Sequence, residues 1–571
     1  MEPGDPHQRV TMLRGVFVVI GLLALVCGYV GLRLQSPGSD LPDILYNDLQ
    51  LFVLGADALQ QGGPYPWELE VARFAAPAVT LYTLFETFRV LLAIEVRRLR
   101  ASWAHGHAVV CGDSWFARTL AMQLFNSGER VIMVRSTSLG PLELRHSRLF
   151  GMTGDPTNLD VLRGAGVRRA RSLYVCDDDD DTNHAISTAA SRLLHDCRDP
   201  AWVHVQVHDP EMCQSLQARR LGAAGSNRLR LDYFHADDVA ARALYRYHPL
   251  KPVPQRETRL LIVGSAPFWR PLLVETARYW RSAGLPINAT LHVDLVARDA
   301  STELWALFNR YPFLASVGTV HTQDFDVDEL RDYDWIGSSY DRIFLCLSDE
   351  RRALAYALST PAIWRGGAVF VPLYQQAAIA DAFHGDRTND LLDEVNGRLR
   401  LYPILTRACD PKLIAEDLTE HLARLMHREY LAANGGQPGA AMVDWARLPE
   451  SLRIANRAQV QDIAKKLAAL DCVVAPRNNP VNVPIDEKRV EELAREEHER
   501  WTKERNRQGW QYGKERDEVR RLHPDLCPWE EIQESSREKN REAIRRLPTV
   551  LADAGFEIIS LAETSDEPAM R

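Results

Sequence analysis

Little in this chain marks it as an enzyme. It has no Gly-x-Ser-x-Gly elbow, no phosphate-cradling P-loop and no His-Glu-x-x-His pair. The common hydrolase, NTPase and metalloprotease arrangements are therefore excluded, and no catalytic residue is assigned. The nine cysteines, at 27, 111, 176, 197, 213, 346, 409, 472 and 527, include no C-x-x-C pair. That argues against a zinc ribbon or a disulfide framework and fits a reducing compartment. None of the 17 histidines is spaced as a metal-binding pair, so no metal site is expected. A basic surplus is also missing: the net charge of −9 leaves no electrostatic footprint for nucleic acid.

What is present begins with a membrane signal. Gly15 to Leu32 is uncharged and bracketed by Arg14 and Arg33. As a helix this run rises about 27 Å, close to the hydrocarbon thickness of a bilayer. No small-residue cleavage site follows it, so a transmembrane helix is favoured over a signal peptide. A second span is expected from Phe74 to Ile94, although Glu86 and Arg89 lie inside it. Each would cost about 2.5–3.5 kcal/mol at mid-bilayer unless paired; an amphipathic helix lying on the surface is the alternative. Arginines at 9, 14, 97, 98 and 100 flank the hairpin and an acidic segment joins its halves. Positive-inside logic places both termini in the cytosol of a cytoplasmic (inner) membrane. The outer segment carries a short helix over about 43–54, with Leu45, Leu49 and Phe52 on one face, then Gly55 and Asp57.

From His107 the pattern changes to alternating strand and helix. Apolar runs at His107–Gly112, Val131–Val134, Ser172–Cys176 and Trp202–Val207 read as buried parallel strands. The spacing predicts a doubly wound, Rossmann-like sheet with its crevice beyond the carboxyl strand ends. Gly154-Asp155 with Ala165-Gly166 downstream, and the acidic strand end Asp177–Asp181 leading to Asn183, complete the set. These motifs resemble the RCK/KTN (TrkA-N-like) domain of potassium-transport and K⁺-conductance regulators. The resemblance implies a nucleotide site at Gly112, Asp113, Ser114, Ala117, Arg135, Ser136, Gly154, Asp155, Asp179, Asp180 and Asn183. Its ligand would be NAD(H), ATP/ADP or a nucleotide second messenger. The sequence departs from a dinucleotide fingerprint: Ser stands at 114, Ala at 117, and Arg135 replaces the ribose-binding carboxylate after the second strand. Arginine there suits phosphate better than a diol.

After the linker Pro249–Pro254, strands at Arg259–Gly264, Leu291–Val296, Arg342–Leu347 and Ala368–Pro372 repeat the unit, with only Gly264 left of the glycine turn. This degenerate copy is expected to be structural or dimerising. Near the C-terminus, Glu497-His498…Trp501, Arg507-Gln-Gly509-Trp510-Gln-Tyr512-Gly513, His523-Pro524…Trp529, Asn540-Arg541 and Gly555-Phe556 resemble the ryanodine-receptor-repeat (RyR) domain. The aromatics suit the core of a small helical domain. Asn456, Arg457, Glu497, His498 and Arg541 beside Trp501, Trp510 and Tyr512 suit a pocket that stacks a base and holds phosphate.

At 571 residues, roughly three or four domains are expected. The predicted plan is a transmembrane hairpin over 1–104 (helices about 15–33 and 74–95), then Rossmann-like domains over 105–248 and 259–375. A helical connector over 376–443, a helical segment and linker over 444–484, an RyR domain over 485–561 and a tail follow. Hairpin, short outer helix and cytosolic RCK module share the layout of two-helix tetrameric cation channels, with Gly55, Asp57, Glu86 and Arg89 as pore candidates. The segment Val53–Asp57 lacks a potassium-filter motif. Three readings stay open: a nucleotide-gated channel or ion-transport regulator assembled as a homotetramer in the bilayer, a pore-less tethered sensor of a bacterial nucleotide signal, and an NAD(P)-dependent oxidoreductase.

Overall fold

A computed structural model of the chain describes residues 6–53, 55, 63–102, 104–137, 148–222, 230–251, 255–282, 289–324, 340–360, 366–375, 398–433, 441–478 and 485–561. It divides into two units, Met1–Trp103 and Ala104–Arg571.

The first unit holds α1 (Pro6–Gln35), α2 (Leu41–Leu51) and α3 (Trp67–Ser102). Small residues let these helices approach closely. A Cβ at Gly31 would stand 2.6 Å from the Leu69 amide nitrogen, and Ala24, Ala72 and Ala76 are buried. Phe17 stacks on Tyr82 with ring centroids 3.7 Å apart. The buried face of α2 is Ile44, Asp48 and Leu51; Leu45 and Leu49, which share another face, are exposed. Gly28 of α1 explains which face is buried, because its missing side chain leaves the slot that Asp48 and Leu51 fill. Among the described residues, one stretch is long and apolar enough to cross a membrane, Gly15–Gln35. The second helix is present but longer than the expected 74–95, and it contains Pro77. Of the expected hairpin of two spans, one apolar span is therefore shown.

The second unit contains two six-stranded parallel sheets. The first comprises β1 (Ala108–Cys111), β2 (Val131–Arg135), β3 (Leu149–Thr153), β4 (Ser172–Val175), β5 (Trp202–Gln206) and β6 (Arg230–Phe234). The second comprises β7 (Thr258–Gly264), β8 (Leu291–Ala297), β9 (Thr319–Asp324), β10 (Arg342–Cys346), β11 (Ala368–Leu373) and β12 (Leu399–Pro403). The orders are β3-β2-β1-β4-β5-β6 and β12-β11-β10-β7-β8-β9. Counted from its own first strand, each sheet reads 3-2-1-4-5-6, the doubly wound order whose crevice opens between its first and fourth strands. The internal repeat is thus real in topology. β12 extends the second sheet beyond 375, into the stretch expected to be a helical connector.

Central strands are buried on both faces, as a sheet covered by helices requires. Helices α4 (Trp115–Asn126), α5 (Leu159–Gly164), α6 (Asp180–Leu194), α7 (Pro210–Leu221) and α8 (Ala236–Tyr247) surround the first sheet, and α9 (Trp269–Ser282) and α10 (Ala300–Arg310) flank the second. One apolar core runs without a break from Val110 and Leu120 through Leu244 on α8 and Leu272 on α9 to Leu295 and Tyr402. The two sheets therefore share a hydrophobic interior. At the C-terminal end, β13 (Cys472–Pro476) pairs antiparallel with β16 (Phe556–Ser560), and the short strands β14 (Gln511–Tyr512) and β15 (Leu522–His523) pair with each other. Ala218 of α7 joins the core beneath β13 and β16. The RyR region is accordingly tied to the first sheet's helices, and it is not purely helical.

Candidate functional site

Three places were candidates: the crevice of the first sheet, the RyR aromatics and the outer turn of the first unit. In the crevice, Gly112 turns the chain out of β1 at φ +134°, where a Cβ would sit 2.5 Å from the Cys176 carbonyl oxygen. Only glycine tolerates that combination. The next residue does not leave space for a phosphate. The Asp113 carboxylate accepts from Arg135 Nε at 2.9 Å, Thr137 Oγ1 at 2.7 Å and the Ser136 amide at 3.1 Å. Its own amide donates to Asp177 Oδ2 at 2.9 Å. Ser114 caps α4 by accepting from the Ala117 amide at 2.9 Å, and its hydroxyl donates to the Cys176 carbonyl. Amides and hydroxyl that would meet a pyrophosphate are thus engaged with the chain itself.

Arg135, read from the sequence as a phosphate ligand, is buried and paired with Asp113. Burial works to raise the Asp113 carboxyl, and the bonds from Thr137 and Arg135 outweigh it, leaving it below the ordinary carboxylate value. Asn183 is buried and locks the strand end: its Oδ1 accepts from the Asp177 amide at 2.7 Å, and its Nδ2 donates to the carbonyls of Asp177 and Gln206. Asp179 caps α6 through the Thr182 amide, and Asp180 accepts from His208 Nδ1 at 2.7 Å. Asp155 closes a local turn with Thr157, while the Gly154 amide donates to the Arg135 carbonyl. The second crevice is sutured in the same way: the Ser265 and Ala266 amides both donate to the Cys346 carbonyl, and Ser348 bonds Ser265 twice.

In the RyR region, Glu497 is the centre of an internal ion cluster. Its carboxylate meets Lys466 Nζ at 2.7 Å and Arg500 Nη2 at 2.7 Å. Burial would raise this carboxyl, but Lys466 and Arg500 hold it below its ordinary value. His498 bonds the Cys527 carbonyl at 2.8 Å and lies against Trp501 and Trp529. Trp501 and Trp510 do come together, with Arg505 within 6 Å of both rings and His523 edge-on to each. Tyr512 is exposed. Arg541 is committed to Glu491, Glu534 and Glu538, and Arg457 to Glu420 and Glu450. Asn456 bonds the Leu452 carbonyl of its own helix. The polar residues expected to form one pocket are therefore held in separate networks, organised by Lys466, Arg500 and Arg505, which carried no motif signal. In the first unit, Gly55 follows α2 with its amide bonded to the Gln50 carbonyl, and Glu86 is half-buried on α3. Asp57 and the side chain of Arg89 lie outside the described residues.

The large opening lies elsewhere. A cavity of about 690 Å³ sits where α7, the carboxyl half of β6 and α8 meet α9, α10 and the helix Leu418–Ala433, with Arg477 and Asn478 after β13 on its rim. That volume falls within the range of small-molecule sites. Carboxylates outnumber arginines along its walls, and the arginines are held by partners: Arg270 bidentate to Glu303, Arg278 to Glu275. Asp232 and Asp417 sit together at one end, and burial raises both carboxyls above the ordinary range, each reinforced by neighbouring negative charge. His421 faces the opposite pressure. Burial, then Arg278, Arg242, Arg424 and Arg428, push its imidazole well below the ordinary value, so it is neutral near pH 7. Its Nε2 and the Arg278 Nε are buried donors or acceptors without a hydrogen-bond partner among the described residues. No motif could have announced this site, because its walls come from seven separated stretches of the chain.

Comparison with known proteins fits this anatomy. Residues 108–225 match the TrkA-N domain family and residues 481–560 the RyR domain family. Similar solved structures include the GsuK channel, at 15% identity over 71% of this chain and 98% of that one, TM-score 0.33. GsuK bound to ADP is similar at 15% identity over 72% of this chain and 98% of that one, TM-score 0.32. The GsuK channel bound to NAD is similar at 12% identity over 86% of this chain and 91% of that one, TM-score 0.33. The sheet order and the two matched segments together show that the chain carries a TrkA-N domain at residues 108–225 and an RyR domain at residues 481–560.

Proposed function

We propose that this chain is a membrane-anchored, ligand-sensing regulator of ion transport whose cytosolic body takes a small nucleotide into the cavity shared by its modules. The observation that carries this reading is the position of the cavity: helix α7 of the TrkA-N segment, the second sheet's helices and the residues leading to the RyR domain all contribute walls. A ligand seated there contacts every module at once, so its differential affinity for two arrangements of them becomes the available bias, typically about 1–3 kcal/mol. The surplus of carboxylates favours a ligand that carries its phosphates as a magnesium complex. The crevice of the first sheet is the second candidate for the same ligand, and to bind there the ligand must first displace Asp113 from Arg135. The apolar helix at Gly15–Gln35 supplies the anchor, the assembly is a homotetramer, and both termini are cytosolic.

The test is ion flux through full-length protein reconstituted in liposomes, with magnesium and either ADP or NAD added as probes. Flux that depends on a probe is the expected result. Probe binding without flux selects the pore-less sensor, and protein that fails to partition with membranes overturns the proposal.

A further inference from the structure

The second sheet carries a juxtaposition that linear spacing hides. His292 and Asp294 are two apart on β8, so their side chains share one face. Strand pairing sets Asp294 opposite His321 on β9, and His292 opposite Thr319. His292 Nε2 lies 3.0 Å from Asp294 Oδ1, and His321 Nδ1 lies 3.9 Å from the same oxygen. One ligand atom from each residue falls within 4.8 Å of the others. We propose that these three side chains bind a divalent transition-metal ion of the zinc class, through His292 Nε2, Asp294 Oδ1 and His321 Nδ1.

The donor spacing fits. Zinc–nitrogen and zinc–oxygen bonds of about 2.0–2.1 Å in a tetrahedron put neighbouring donors about 3.3 Å apart, between the two separations seen. The surroundings fit as well. A metal-binding imidazole is ordinarily oriented through its other nitrogen, and His292 Nδ1 lies 2.8 Å from Thr319 Oγ1. The carboxylate is fixed through its other oxygen: Asp294 Oδ2 accepts from Tyr340 Oη at 2.7 Å and Arg259 Nη2 at 3.2 Å. Oδ1 is left turned toward both imidazoles. A simple hydrogen-bonded cluster accounts for His292 but not for His321. The His321 nitrogen stands too far from Oδ1 for a hydrogen bond, yet its ring is edge-on to His292 with centroids 4.6 Å apart. His321 is 67% exposed, which opens a path for the ion and a fourth position for water. Two imidazoles and one carboxylate suit zinc rather than calcium or magnesium, which take oxygen donors. Binding would replace the His292 Nε2–Asp294 Oδ1 hydrogen bond, with the imidazole proton on Nδ1 facing Thr319 Oγ1, and would staple the edge strand β9 to β8.

The experiment titrates Zn²⁺ into metal-free, full-length protein in detergent against a competing chelator, and records visible absorption with Co²⁺ in its place. Free cysteines and other histidines can take up metal, so the decisive quantity is the difference between wild type and His321→Ala, with the exposed His195→Ala as control. His321 is exposed, so the variant should fold, which its melting without metal checks. The expected result is one tight equivalent with tetrahedral Co²⁺ bands in wild type and in His195→Ala, weakened about 100-fold or more in His321→Ala. A wild type with no tight equivalent, or a His321→Ala protein with the same affinity and bands, overturns the proposal.

Discussion

Replacing Asp113 by alanine should loosen the first crevice more than replacing its partner Arg135, and the asymmetry follows from their surroundings. Arg135 is 5% exposed, and its Nε–carboxylate bond is 2.9 Å long. Without the carboxylate its guanidinium stays buried, with the Thr137 hydroxyl at 2.9 Å from Nη2 as a neutral partner. Removing one side of a buried pair costs about 3–5 kcal/mol. Asp113 keeps 27% of its side chain in solvent, which lowers the figure to about 2–4 kcal/mol. Arg135→Ala leaves a carboxylate that still accepts from Thr137 and Ser136 and reaches water, so about 1–2 kcal/mol is expected. Hydrogen exchange resolved on peptides spanning residues 108–137 of the full-length protein reads these as local opening. Exchange should quicken about 30- to 700-fold in Asp113→Ala and about 5- to 30-fold in Arg135→Ala, at 1.4 kcal/mol per tenfold. The Asp113 carboxyl is depressed in the folded protein, so its contribution is complete above the unfolded value near 3.9 and disappears as pH falls through the folded one. Equal exchange in both variants, or none altered, would refute the assignment of this pair as the crevice's closure.

Two other perturbations probe the remaining joints. Glu497→Gln should cost about 2–4 kcal/mol, since Lys466 keeps Asp462 and Arg500 keeps Glu504 but both lose the central carboxylate. Wild type should also show an acid-labile step in melting of the RyR region that this variant lacks, because the depressed Glu497 carboxyl stabilises above about pH 4.3 and ceases to as pH falls through its folded value. Gly555→Ala should cost about 2–3 kcal/mol: φ is +89°, and a Cβ would stand 2.6 Å from both Gln214 Nε2 and the Tyr311 ring. The Gly555 carbonyl accepts from Gln214 at 3.1 Å, so faster exchange should appear in 210–221 as well as in 556–560; a change confined to 556–560 would mean that the two regions are not coupled.

The strands legible in the sequence are the central ones, and the reason is burial. Val109, Ile132, Leu173, Leu261 and Phe344 sit in uninterrupted apolar runs because both faces of their strands are covered. The outermost strands of both sheets, β3, β6, β9 and β12, carry only partial apolar patterns, such as Thr319–Asp324 with its exposed alternate residues, and none could be read. β13 and β16 were hidden for another reason, since their pairing joins stretches about eighty residues apart. At the crevice, the strand end at Gly112 was readable from local chemistry, whereas Ser114, assigned to the nucleotide site, caps α4 instead. The absence of a carboxylate after β2 was readable too, but not that Asp113, on another strand's exit, would supply one to Arg135. The same limit hid His321 beside Asp294, a contact fixed by strand register and invisible to spacing along the chain.

Blocking each opening of the two-sheet unit separately decides where a ligand enters it. Ala306 lies exposed on the cavity wall and Ser136 on the crevice rim, so Ala306→Trp and Ser136→Trp fill them without disturbing buried packing. Equilibrium binding of magnesium-ADP and NAD to the full-length protein should persist in Ser136→Trp and fall at least about tenfold in Ala306→Trp. Binding that survives Ala306→Trp and vanishes in Ser136→Trp would contradict the assignment and return the site to the first sheet's crevice.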